Sequence, residues 1–199
     1  MTKCILLGTT NPEKLQLFRQ ILTPLPVEIL APRDLGIAIV VEEDGVSPQE
    51  NAEKKARAYF AAAGIPTLAI DAGLYIEKFP PDKQPGVFVR RIHGHGRDVS
   101  DQEVLDHYIR EIEHVGGESL CAWNVGVVLM VAADKLFSGA YSTSRIFTSR
   151  PSPILLPGAP LASLTIDPAS GKYFSEMDRR ERPDARWYFE FVQQHLREL

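Results

Sequence analysis

Along the first half of the chain, short apolar runs alternate with stretches of helical periodicity. Lys3 to Gly8 is an apolar run, and the turn signal Thr9-Thr10-Asn11-Pro12 follows at once. Leu15, Leu17, Phe18, Ile21 and Leu22 then recur at helical spacing. Pro12 suits the first helical position, with Thr10 or Asn11 as N-cap. Val27 to Ala31 reads as a second strand. Ser47-Pro48-Gln49-Glu50 has the form of a capping box, opening a helix that runs to about Ala63. Pro66 to Ile70 is a further strand, ending at Asp71, and Ser100-Asp101-Gln102-Glu103 opens a third helix that ends near Gly116-Gly117. Later the pattern turns to strands, with a β-rich run from Ala122 to Ala132 and a hairpin partner from Lys135 to Ser142. Arg150 to Pro160 is proline-rich and reads as a loop, and a final helix covers about Arg186 to Arg197. Alternation early and strands late predict an α/β fold with a mixed central sheet and flanking helices.

Composition narrows the possibilities. The 199 residues suit a single domain, 1–199, or one domain with two lobes. A net charge of −4 argues against a general nucleic-acid partner but allows a local basic pocket. No apolar run reaches the ~20 residues needed to span a bilayer, so no membrane partner is expected. The opening residues lack the apolar core and cleavage site of a signal peptide. Cys4 and Cys121 both fall in apolar stretches and read as buried free thiols of a reducing compartment. The expected location is cytoplasmic.

Four segments carry candidate chemistry. Thr9-Thr10-Asn11-Pro12-Glu13-Lys14 joins a strand to a helix, where backbone amides, hydroxyls and a lysine suit a phosphate. A capped helix with a surface lysine would look the same. Glu42-Glu43-Asp44-Gly45 precedes the helix that carries Asn51 and Lys55, which are four apart and so share a face. Its carboxylates could hold Mg²⁺ or form only a solvated acidic turn. Asp71-Ala72-Gly73-Leu74 places a carboxylate where open α/β sheets tend to build sites, suited to a metal and a water, or simply to a turn. Gln84 to Arg91 contains a Pro-Gly turn and two arginines able to meet an anion, and His93-Gly94-His95-Gly96 gives a weak zinc pattern.

In this order the segments resemble the inosine triphosphate pyrophosphatase (ITPase) family. Thr9, Asn11 and Lys14 match its Thr-x-Asn-x-x-Lys opening, and Glu42 to Gly45 with Glu50-Asn51-Ala52-Glu53-Lys54-Lys55-Ala56 matches its acidic turn and following helix. Asp71-Ala72-Gly73-Leu74 is similar to its Asp-Ser-Gly-Leu, Pro85-Gly86-Val87-Phe88 with Arg91 to its Pro-Gly-x-Tyr and arginine, and Asp98 to Gln102 to its Asp-x-x-Asp-Gln. The resemblance implies two lobes around a cleft, a homodimer, and Mg²⁺- or Mn²⁺-dependent hydrolysis of a nucleoside triphosphate to monophosphate and pyrophosphate. By the same resemblance Thr9, Thr10, Asn11, Lys14, Lys55 and Ala72 meet the phosphates. Glu43, with Glu42 as its rival, and Asp71 hold the metal, and Asp71 is also the base for water.

The base-reading half departs from the family. Its Gly-Phe-Gly-(Tyr or Trp)-Asp-Pro segment is replaced by Pro157-Gly158-Ala159-Pro160-Leu161-Ala162-Ser163, and its Ser-His-Arg is absent. Arg182-Pro183-Asp184-Ala185-Arg186 stands there instead, while Gly171-Lys172 with Glu176 keeps the local pattern. Arg91, Lys172, Arg182 and Arg186 are thus the residues left for base or substrate contacts, with Trp187 as a substitute stacking ring. The expectation is an altered or relaxed base preference. Two other readings stay open: a non-catalytic nucleotide-binding or regulatory protein on this fold, and a hydrolase of another phosphoanhydride.

Overall fold

The computed structural model describes residues 3–92 and 99–199; His93, His95 and Asp98 lie outside the described residues. Among the described residues the α-helices and strands follow in the order β1 (Lys3–Leu7), α1 (Pro12–Ile21), β2 (Val27–Leu30), α2 (Pro48–Ala63), β3 (Thr67–Ile76), α3 (Asp101–His114), β4 (Glu118–Ala132), β5 (Lys135–Thr148), β6 (Thr165–Ile166) and α4 (Pro183–Gln194). The strands lie in the order β2-β1-β3-β4-β5-β6. β1 runs parallel to both β2 and β3, and β5 is antiparallel to β6, so the sheet is mixed and the fold class is α/β, as the pattern predicted.

The chain divides into two compact units. The first comprises Met1–Ala72, Val125–Tyr141 and Arg179–Leu199. Side chains alternate across a strand, and here that alternation sorts the layers. Leu68 and Ile70 of β3 join Ile5 and Leu7 of β1 in a core with Phe18 and Ile21 of α1 and Tyr188 and Val192 of α4. Ala69, on the opposite face of β3, packs with Ala52 and Ala56 of α2 and with Val128 and Met130 of β4. Small residues let α2 approach the sheet closely. At Gly126 of β4 a Cβ would stand 2.5 Å from the backbone nitrogen of Gln49, so only glycine fits against the start of α2.

The second unit comprises Gly73–Asn124 and Ser142–Asp178. Leu74 and Ile76 of β3, Val104, Tyr108 and Ile112 of α3, and Phe147 of β5 form its core with Leu161 and Leu164. Gln84 ties the loop after β3 to the strand, accepting from Ile76 N and donating to the carbonyls of Ile76 and Phe79.

Several boundaries differ from the sequence reading. β3 does not end at Asp71 but continues to Ile76, because Leu74 and Ile76 supply the next core. β4 starts earlier than expected, at Glu118, and β5 runs on to Thr148. The last helix starts at Pro183, which occupies its first turn, and ends at Gln194. Cys121 is buried as expected, but Cys4 is exposed and both thiols are free.

Candidate functional site

The loop after β1 sits where the chain leaves in two directions. α1 leads out to β2 on one side of β1, and α2 leads across to β3 on the other. Carboxyl ends of strands at such a switch point are where open α/β sheets receive ligands. Pro12 pre-sets the first turn of α1, and Asn11 caps it, its side-chain oxygen accepting from the amides of Glu13 and Lys14 at 2.9 and 3.2 Å. Those two amides are therefore satisfied within the protein, contrary to the expectation of unpaired amides here. Thr9 Oγ1 accepts from Asn11 N, and Thr10 is exposed at the tip. Lys14 reaches over the sheet and donates to the Ile70 carbonyl of β3 at 3.1 Å.

Asp71 shares the α2-facing side of β3 with Ala69, since the two are separated by one residue. It is buried, and each of its oxygens has a partner from α2: Asn51 Nδ2 donates to Oδ2 at 3.1 Å and Lys55 Nζ to Oδ1 at 2.8 Å. The four-residue spacing of Asn51 and Lys55 stacks them on one helix face, one turn apart. Lys55 Nζ also donates to Glu43 Oε2 at 3.0 Å, and its side chain is only 7% exposed. Gly45 N donates to Asn51 Oδ1 at 2.8 Å, a contact that a Cβ at Gly45, 2.6 Å from that oxygen, would block. The acidic turn is thereby fixed to α2. Of the two rivals, Glu43 reaches Lys55, whereas Glu42 is exposed.

The electrostatics follow from this packing. Lys14 is pushed down to about 8, first by burial of its ammonium and then by Lys55, with Asp71 and Glu43 pulling the other way. For Lys55, burial also acts to lower the pKa, but the Asp71 and Glu43 carboxylates outweigh it and the net shift is upward. Lys55 is thus held as an ammonium, while Lys14 exchanges its proton near pH 8.

The remaining sequence candidates are placed differently. Arg182 is buried and paired to Glu13 Oε1 at 2.8 Å, and Arg179 grips the same carboxylate through both Nε and Nη2. This cluster, which binds the first turn of α1 to the segment before α4, escaped the sequence reading; its only local signal is an acidic residue beside a helix-opening proline. Arg186 is exposed and pairs with Glu190 one turn along α4. Trp187 stacks on Tyr141 and Phe191 within the first unit's packing. In the second unit, Arg91 lies over the Phe88 ring, and Lys172 is exposed. There too Arg90 pairs with Asp101, and Asp101 also accepts from Gly158 N. The segment that replaces the aromatic base platform forms a short 3-10 turn, Pro160–Ser163, whose Leu161 enters the core. Ala72 is half-buried, directly after Asp71.

The chain is thus an α/β protein that gathers two lysines and two carboxylates at a strand switch point of its sheet, where such folds place their sites. Comparison with known proteins specifies its family. A model of the Ham1 family matches residues 5–149, and the chain belongs to that family. The dITP/XTP pyrophosphatase of Corynebacterium glutamicum (strain R) is 36% identical over 134 residues, covering 65% of this chain and 63% of that protein. That of Aquifex aeolicus is 39% identical over 89 residues, 45% of this chain and 42% of that protein. The chain thus aligns with less than two thirds of the length of these curated relatives. Among solved structures, the HAM1 protein of Coxiella burnetii superposes with a TM-score of 0.77 at 21% identity, covering 99% of this chain and all of the other. The Staphylococcus aureus Ham1 protein gives 0.73 at 18% identity over 98% of each chain. The fold expected from the ITPase resemblance is therefore the observed one. Among the described residues no helix is long and apolar enough to cross a membrane.

Proposed function

We propose that the chain hydrolyses a nucleoside triphosphate to the monophosphate and pyrophosphate, with an altered or relaxed base preference. The observation that carries this reading is the convergence of Lys14, Lys55, Asn51, Asp71 and Glu43 beside the capped loop Thr9–Thr10–Asn11. Thr9 and Thr10 hydroxyls, Lys14 and Lys55 bind the phosphate chain, neutralising charge that grows on the leaving pyrophosphate. Asp71, oriented by Asn51, accepts a proton from the attacking water. A bond then forms between the water oxygen and the α-phosphorus as the bond to the bridging oxygen breaks, and the electron pair leaves on pyrophosphate.

Two carboxylates with no soft ligand nearby fit Mg²⁺ or Mn²⁺. Among the described residues no group of three or more His, Cys, Asp or Glu is arranged to hold a metal ion. Glu43 and Asp71 would hold the cation jointly with substrate oxygens, and the bound ion would supply charge neutralisation. The relatives named dITP/XTP pyrophosphatases support the reaction class. The sequence match to the family stops at residue 149, before the rewritten base-reading segments, while the structural likeness takes in nearly the whole chain; this supports a retained fold with a changed base pocket. A homodimer in the cytoplasm completes the proposal. The test is pyrophosphate release from a panel of nucleoside triphosphates with Mg²⁺. Release from none of them, with binding retained, would favour a regulatory nucleotide binder instead.

A further inference from the structure

Lys55 stands between the two carboxylates that the reading above assigns to a divalent cation, and the present inference rests on that reading. Its ammonium lies 3.0 Å from Glu43 Oε2 and 2.8 Å from Asp71 Oδ1. Asp71 is held in place from its other oxygen by Asn51, and Asn51 in turn by Gly45 N. The carboxylates therefore converge on Lys55 by construction, from β3 and from the turn before α2. The Lys55 ammonium thus already offsets charge on both carboxylates through direct ion pairs. Carboxylates so offset attract a free divalent cation less, and a cation entering between them must displace an ammonium already bonded to both. A triphosphate alters this balance. Its oxygens offer Lys55 charged partners of their own and release Glu43 and Asp71.

We propose that Lys55 occupies the cation position of the nucleotide-free protein, so that the divalent cation enters only together with the triphosphate. The free protein is then poised to reject loose metal and to accept the metal–nucleotide complex. A lysine that served only to bind phosphate would face the ligand and leave the two carboxylates to the cation.

The test is Mn²⁺ binding to nucleotide-free protein, followed by the electron paramagnetic resonance signal of the unbound ion at neutral pH. The wild-type protein is expected to bind with a dissociation constant above about 1 mM. Lys55→Met should bind at least about tenfold more tightly, since removing a competing charge beside the buried Asp71 and the half-buried Glu43 is worth at least that factor. Glu43→Gln in the Lys55→Met background should abolish the gain. One-to-one binding by the wild-type protein at micromolar Mn²⁺ would overturn the proposal. So would a folded Lys55→Met variant that binds no more tightly than wild type. If Lys55→Met fails to fold, the wild-type measurement decides alone. No step reads pyrophosphate release, so failure of this proposal is distinguishable from failure of the proposed reaction.

Discussion

Above pH 8 the nucleotide-free protein gives up the proton of Lys14, and a bound triphosphate should restore it. The perturbation is pH alone, and the magnitude follows from a Lys14 pKa of about 8, set by burial and by Lys55. At that value the ammonium is about half protonated at pH 8 and about one-tenth protonated at pH 9. Phosphate oxygens around Lys14 favour the charged form and return it toward the ordinary lysine value of about 10.4. Binding should therefore take up about 0.5 proton at pH 8 and about 0.9 at pH 9, and almost none at pH 6.5. Affinity should fall about tenfold between pH 7 and pH 9. Lys55 does not share this behaviour, because Asp71 and Glu43 hold it charged through the same window.

Stability moves in the opposite sense. Unfolding returns Lys14 to a pKa of 10.5 from about 8, so between those values the unfolded chain binds more protons and stability rises with pH. The penalty of the buried ammonium is carried in full below pH 8. The assay for uptake is calorimetric titration with a non-hydrolysable triphosphate analogue in buffers of different ionisation enthalpy, at pH 6.5, 8 and 9. Lys14→Arg, always charged, should bind with no proton uptake at any of these values. Heat that is independent of the buffer for the wild-type protein at pH 8 and 9 would refute the reasoning.

Asp71→Asn should lower kcat by about a hundredfold or more while leaving a folded protein, because the lost carboxylate is the proposed proton acceptor; near-normal turnover removes Asp71 from the reaction. Lys14→Ala and Lys55→Ala should weaken triphosphate binding whichever base is offered, and monophosphate binding less, and equal losses across mono-, di- and triphosphates would count against their phosphate contacts. Gly126→Ala should destabilise the protein by about 1–3 kcal/mol in a denaturant titration, since the new methyl meets the backbone of Gln49 rather than a movable side chain. Inosine over adenosine triphosphate should be preferred by less than about tenfold in kcat/KM, because the sequence lacks both the aromatic platform and the Ser-His-Arg edge reader and lost polar readout flattens selectivity; a hundredfold preference would show a base reader that these residues do not reveal.

What the sequence made legible was the placement of groups along local elements. A capped turn between a strand and a helix puts Thr9, Asn11 and Lys14 together, and a four-residue spacing puts Asn51 and Lys55 on one face. What it concealed was partnership. Asp71 reads as the end of a strand because a carboxylate is costly inside one, yet β3 runs through it, and the compensating donors come from 20 and 16 residues earlier on a packed helix. Arg182 reads as an available cation, but Glu13, 169 residues away, occupies it. The amides of Glu13 and Lys14 read as open to phosphate until the Asn11 side chain is seen to bind both. In each case a local pattern supplies the charge or dipole, and only the tertiary fold decides whether it is already spent within the protein. By that criterion Lys14, of the two lysines, has the more to gain from an anionic ligand. Lys55 has two carboxylates at hydrogen-bonding distance, whereas Lys14 has a backbone carbonyl, a neighbouring ammonium and an enclosed setting that its own charge disfavours.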